Sequence, residues 1–173
     1  MIKSLVRSVE MTLPNSKSST ILELENGKTE ELFFTQVEPT KFKVLDADYS
    51  RKSGISVDID IDNVYLKTTS KVLWPGESII VRGGLRANEE PMRASFNIPK
   101  GKKLKDGVPG ESWLYWSIET PAGTFKNLVP IHMKGTITSL PPKDTTFTSA
   151  VAVDLYDLEG KQKAKIYNCA QTN

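Results

Sequence analysis

Ile55-Ser56-Val57-Asp58-Ile59-Asp60-Ile61-Asp62 alternates apolar and polar side chains without interruption. In an extended chain successive side chains point to opposite faces. The four aliphatic residues therefore share one face, and Ser56 shares the other with the three aspartates. Wound into a helix, the same residues would scatter around the whole circumference. The stretch predicts a strand with a dry face and a wet face.

The same period recurs on both sides. Residues 21–25 and 29–37 flank Asn26-Gly27, a pair suited to a tight hairpin turn. Near the other end Val151, Val153 and Leu155 alternate up to Leu158-Glu159-Gly160, which turns the chain. Lys161, Lys163 and Lys165 then alternate with Gln162, Ala164 and Ile166. Further strands are predicted over 41–46, 64–73, 78–82, 92–98, 113–118, 124–133 and 135–139. Between them stand Pro75-Gly76, Gly83-Gly84, Pro109-Gly110, Pro121 to Gly123 and Pro141-Pro142, all turn chemistry.

Short strands with frequent turns predict a mainly β, antiparallel fold: a β-sandwich, a jelly-roll-like fold or a partly open barrel. The alternative is a small α+β arrangement with helices over 3–11 and 85–90. The chain has 173 residues, enough for one real core, and 1–173 is read as a single β-rich domain. Residues 99–112 contain three glycines, two prolines and four lysines and little to bury. They are expected to form an exposed basic loop.

Ordinary catalytic signatures are scarce. His132 and Cys169 are the only residues of their kinds, so no disulfide forms within the chain and a four-ligand zinc centre cannot be assembled from Cys and His. No phosphate-binding glycine loop and no Gly-x-Ser-x-Gly elbow is present. No cofactor is expected. Asp58, Asp60 and Asp62 open like a calcium loop, but Asn63 stands where that loop needs glycine and Thr69 where it needs glutamate. Their spacing along a strand also separates successive carboxylates by about 6.5–7 Å. They remain weak metal candidates beside the simpler reading of a solvated strand face.

The net charge is +2, so contact with an anionic polymer would need a local patch. Two groups offer one: Lys100, Lys102, Lys103 and Lys105 in the basic loop, and the row Lys161, Lys163 and Lys165. Arg82, Arg86 and Arg93 flank a third region. Trp113 and Tyr115 share a strand face and are candidate aromatic contacts for a base, a sugar or a partner. The opening residues hold Lys3, Arg7 and Glu10 and lack an apolar run, so neither a signal peptide nor a transmembrane segment is expected.

These features favour a non-enzymatic structural or assembly protein, intracellular or part of a virion. By composition it fits a small viral capsid or matrix component contacting RNA or an anionic membrane, as a homo-oligomer. One alternative is an intracellular adaptor or inhibitor that binds a protein partner through a strand edge or aromatic patch. Another is a hydrolase or lyase using paired carboxylates.

Overall fold

In the computed structural model, residues 9–48, 54–84 and 92–173 are described. The helix expected over 85–90, Arg86 and most of the helix expected over 3–11 lie outside them. Residues 9–11 belong to a strand instead.

The antiparallel, mainly β fold is present, and its pairings build a barrel. Fourteen strands join one sheet, and most fall end to end into eight long staves that follow chain order. The first stave is β1 (Val9–Leu13) with β2 (Lys17–Leu24). The second is β3 (Thr29–Gln36) with β4 (Thr40–Asp48). The third is β5 alone (Gly54–Thr69). The fourth is β6 (Ser78–Gly84) with β7 (Met92–Pro99). The fifth is β8 (Val108–Leu114) with β9 (Trp116–Thr120). The sixth is β10 (Gly123–Asn127) with β11 (Ile131–Ile137). The seventh is β12 (Thr146–Thr148) with β13 (Val153–Tyr156), and the eighth is β14 (Gln162–Thr172).

Each stave pairs antiparallel with the next, and β14 returns to pair with β2 from Ala164–Leu24 to Thr172–Lys17. That last ladder closes the ring. Closure satisfies the backbone groups that an open sheet would leave on its edges. It stops at Lys17: among the described residues β1 pairs with β4 alone, so the seam is unlaced in the half of the barrel that contains β1. We call this the upper half. The hairpin turns at 25–28, 70–77, 121–122 and 157–161 cap the lower end.

The alternation in the opening stretch does what it predicts, but only for half of β5. Val57 and Ile59 point inward and are buried. Between Lys41–Asn63 and Phe42–Ile61 the register slips by one residue, and from there Val64 and Leu66 are the inward pair. The extra residue is a β-bulge, which reverses the inward parity. The strands predicted over 55–62 and 64–73 are therefore one continuous strand that ends at Thr69. A second slip, at Asn168 with φ 51°, lets Ala164, Ile166 and Cys169 all face the core.

Two apolar clusters fill the barrel. The lower one includes Leu22, Phe34, Leu66, Ile79, Trp116, Leu155 and Ile166. The upper one includes Phe42, Val57, Ile59, Phe96, Val108 and Ile137. Ile61 and Phe147 pack against both.

The basic loop is shorter than expected. Residues 108–112 belong to β8, which pairs with β11 and, from Gly110 onward, with β7. Pro109 sits just beyond the last β7 pair, near the strand start, where proline is tolerated. The exposed connection is confined to 100–107 and contains a single 3-10 turn, Leu104–Asp106.

Candidate functional site

The upper half holds an apolar cavity of about 70 Å³. Its walls are inward side chains: Leu13 and Phe42 from the first two staves, Ile59 and Ile61 from the third, Phe96 from the fourth, Ile137 from the sixth and Phe147 from the seventh. Leu140 and Pro142, in the connection between β11 and β12, also line it.

Small inward residues leave the space. Ala94 and Ser112 line it, and Gly110 faces Gly135 across the β8–β11 ladder. The Phe147 ring lies over that glycine pair: a Cβ on Gly135 would stand 2.9 Å from it and one on Gly110 3.4 Å. Phe147 thus occupies volume that two ordinary side chains would fill.

Polar groups reach the cavity from a few positions. Thr40 is buried, and its hydroxyl oxygen accepts a 2.9 Å bond from Gln36 Nε2. Gln171 Nε2 and Ser16 Oγ both donate to Asn173 Oδ1, at 3.0 and 2.7 Å. Among the described residues the one charged side chain lining it is that of Glu111. Its carboxylate turns outward to His132 Nε2 at 3.1 Å, where both side chains are about 40% exposed.

At the lower end a wide depression of about 540 Å³ lies among the turns, over Leu24, Phe125 and Leu158. Its charges are already matched. Lys163 pairs with Glu25 at 3.6 Å and Lys161 with Glu159 at 3.8 Å. Asp157 accepts backbone N–H bonds from Lys161 and Glu159, both at 2.9 Å, and the first of these is the main reason its carboxyl is held below the usual range. Close by, Glu30 locks the 70–77 turn. It accepts from Ser70 Oγ at 2.7 Å, Lys71 N at 2.6 Å and Leu73 N at 3.0 Å. Burial pushes its carboxyl pKa up, yet these bonds, Ser70's first, outweigh burial and hold it low.

The structure separates the two lysine groups that the sequence singled out. Lys100, Lys102, Lys103 and Lys105 are exposed on the 100–107 connection at the upper end, and among the described residues none pairs with a carboxylate. Lys161, Lys163 and Lys165 begin at the lower end. They stand on the outer face of β14 and its turn, opposite the buried Ala164 and Ile166, and Lys165 pairs with Glu23 at 3.3 Å. Arg82 is likewise engaged, bonding Glu119 at 2.8 Å and lying 4.2 Å from the Tyr65 ring centre.

Trp113 and Tyr115 fall on outward positions and are half-buried. Trp113 stacks on His132 with ring centres 5.2 Å apart, so one of its faces is already used. Asp58, Asp60 and Asp62 occupy the outer face of β5. Asp62 meets Lys43 at 3.3 Å and Asp60 meets Arg93 at 3.8 Å. Among the described residues no three His, Cys, Asp or Glu side chains gather in a metal-holding group. Cys169 is buried against Thr20 Oγ1 at 3.2 Å. Burial pushes its thiol pKa up, which suppresses the reactive thiolate.

The cavity was not singled out in the sequence. Its signal there is faint: small residues (Ala94, Gly110, Ser112, Gly135) at inward positions where the lower half carries Leu, Ile or Trp.

No helix among the described residues is long and apolar enough to cross a membrane. No family model matches the chain, and no curated protein matches it. Among solved structures it is similar to one described as "Structure of DynF from the Dynemicin Biosynthesis Pathway of Micromonospora chersina", with a TM-score of 0.74 and 11% sequence identity over 99% of this chain and 86% of that one. At that identity the likeness establishes the fold alone.

Proposed function

We propose that this is a non-enzymatic binding protein that holds one small, mainly apolar molecule in the upper half of its barrel. The observation that carries the reading is the apolar cavity lined from most staves, under a seam that no ladder closes among the described residues. Eight strands make a barrel whose interior is either filled by side chains or holds one small ligand. This barrel does the first in its lower half and leaves room for the second in its upper half. Among the described residues the lumen's one charged lining side chain points its carboxylate outward, so the lining supports binding better than acid–base chemistry.

Titrating isotope-labelled protein with hexan-1-ol tests this. Saturable amide shifts are expected at Ile59, Phe96 and Ile137 and not at Ile79 or Leu155. Ala94→Leu, which extends into the cavity, should weaken them. Shifts that never saturate, or that concentrate at the exposed Val129 and Val151, would sink the reading.

A structural or assembly role, as in a small viral capsid or matrix component, is the second reading. Two features favour it: four lysines on one exposed connection that pair with no carboxylate among the described residues, and exposed Leu128, Val129 and Val151 where the sixth and seventh staves are interrupted. Concentration-dependent growth in light scattering, and salt-sensitive binding to RNA or anionic vesicles, would support it. A monomer indifferent to both would remove it.

A further inference from the structure

We infer that the lumen selects uncharged amphiphiles: a narrow aliphatic chain ending in a hydroxyl or carbonyl, and neither a carboxylate nor an amine. The inference rests on the binding role proposed above and specifies its ligand.

Size comes first. The cavity of about 70 Å³ is about half of the roughly 150 Å³ that admits benzene. A short alkyl segment fits it; a ring, or the whole of a six-carbon chain, fits only when a lining side chain moves or the molecule projects through the unlaced seam. Phe147 is the ring that already occupies the middle of the barrel, cradled by Gly110 and Gly135.

Charge comes second. A buried ion is tolerated only when it is paired and hydrogen-bonded. Among the described residues that line the cavity no cation is present, so a carboxylate would find no partner. The sole anionic side chain among them, Glu111, is held on the outer wall by His132, so an ammonium would find no side-chain partner either.

Polar complement comes third. Thr40 uses its oxygen to accept from Gln36, and its own proton is not spent in that bond. It lines the cavity and is 4% exposed. Ser112, on the fifth stave, also lines it and is buried. A neutral oxygen on the ligand satisfies such donors, and leaving buried donors unmatched is what a purely apolar ligand would do.

Calorimetric titration of the full chain at pH 7 with n-hexane, hexan-1-ol, hexanoate and hexylammonium decides the matter. Hexan-1-ol is expected to bind at least tenfold more tightly than either ion. Thr40→Val is expected to weaken hexan-1-ol about three- to tenfold and to leave n-hexane unchanged. Either ion binding within tenfold of the alcohol overturns the selectivity, as does a Thr40→Val variant that affects the alcohol and the alkane alike. In both of those cases the lumen would still be a binding site. If none of the four compounds binds, the lumen reading itself falls, and the selectivity with it.

Discussion

The lower and upper halves of the barrel are built by the same eight staves, yet one is full and the other is not. In the lower half Leu22, Ile79, Leu155 and Ile166 are 0% exposed, and the large Trp116 and Phe34 lie among them. In the upper half Ile59 and Phe96, which line the cavity, retain 6–7%. Seven of the eight stave-to-stave ladders run through both halves, so strand pairing alone does not make the difference. Side-chain volume does, together with how each end is tied. The lower end is laced by β14 against β2 and locked by the Glu30 carboxylate on the 70–77 turn. The upper half has glycine, alanine and serine at inward positions, and among the described residues its first strand pairs on one side only. A barrel can thus divide stability and binding between its two ends, with the packed end holding the ring shape for the other.

Truncation should show the contrast most strongly. Trp116→Ala removes the largest lower-core side chain and is expected to lose about 3–5 kcal/mol of stability. Phe96→Ala, beside space that already exists, should lose clearly less. Urea unfolding of both compares them, and equal losses would mean that the halves are packed alike.

Glu30→Gln should cost about 2 kcal/mol at pH 7, because bonds to a charged acceptor are each worth about 1.5–3 kcal/mol and the amide keeps only one acceptor oxygen. The pH dependence has a definite sign. Glu30's pKa is lowered in the folded state, so its stabilisation is complete above the ordinary carboxylate range and drains away as pH falls through the lowered value. Part of the acid-induced loss should therefore be absent in the variant, which unfolding curves between pH 7 and pH 3 would show.

Adding volume should have opposite signs in the two halves. Ala164→Leu overfills the lower core and is expected to cost about 1–3 kcal/mol. Ala94→Leu extends into the cavity and should be neutral, or stabilise by up to about 1 kcal/mol while weakening hexan-1-ol binding. Loss of stability in both would show that the cavity cannot accept side-chain volume.

The smallest effect is expected at the surface. Reversing Lys100, Lys102, Lys103 and Lys105 to glutamate should change stability by no more than about 0.5 kcal/mol. Under the assembly reading it should also abolish salt-sensitive binding to RNA or anionic vesicles; retention of that binding would clear the loop of the role.

Much of the fold is legible in the residues. Ile55 to Asp62 declares its strand, Asn26-Gly27 its hairpin, and the lysine row after Gly160 the outer face of β14. The α+β alternative has no counterpart among the described residues, where the regular helical content is one 3-10 turn. Proline and glycine misled at 108–112, because Pro109 and Gly110 signal a loop locally while β7 and β11 together hold the segment as a strand. The bulges at Asp62–Asn63 and Asn168 were also hidden, since an extra residue in one strand is defined only against its partner.

The candidate site was much less legible. The two lysine groups that the sequence offers lie on different parts of the barrel and do not join into one surface, and Lys161, Lys163 and Lys165 already meet glutamates. Lys161 meets Glu159 in its own turn, but Glu25 and Glu23, which meet Lys163 and Lys165, lie far away in the chain, so no local pattern announces them.

By itself the sequence determined that this chain forms antiparallel strands with one apolar face, because alternation and turn chemistry act between near neighbours. Only the tertiary structure decided that β14 closes onto β2, that the closure stops at Lys17, and that the unfilled volume lies between Phe42, Ile59 and Phe96. A cavity is the volume left over when side chains from many strands meet. It exists only once chain segments more than a hundred residues apart have been brought face to face.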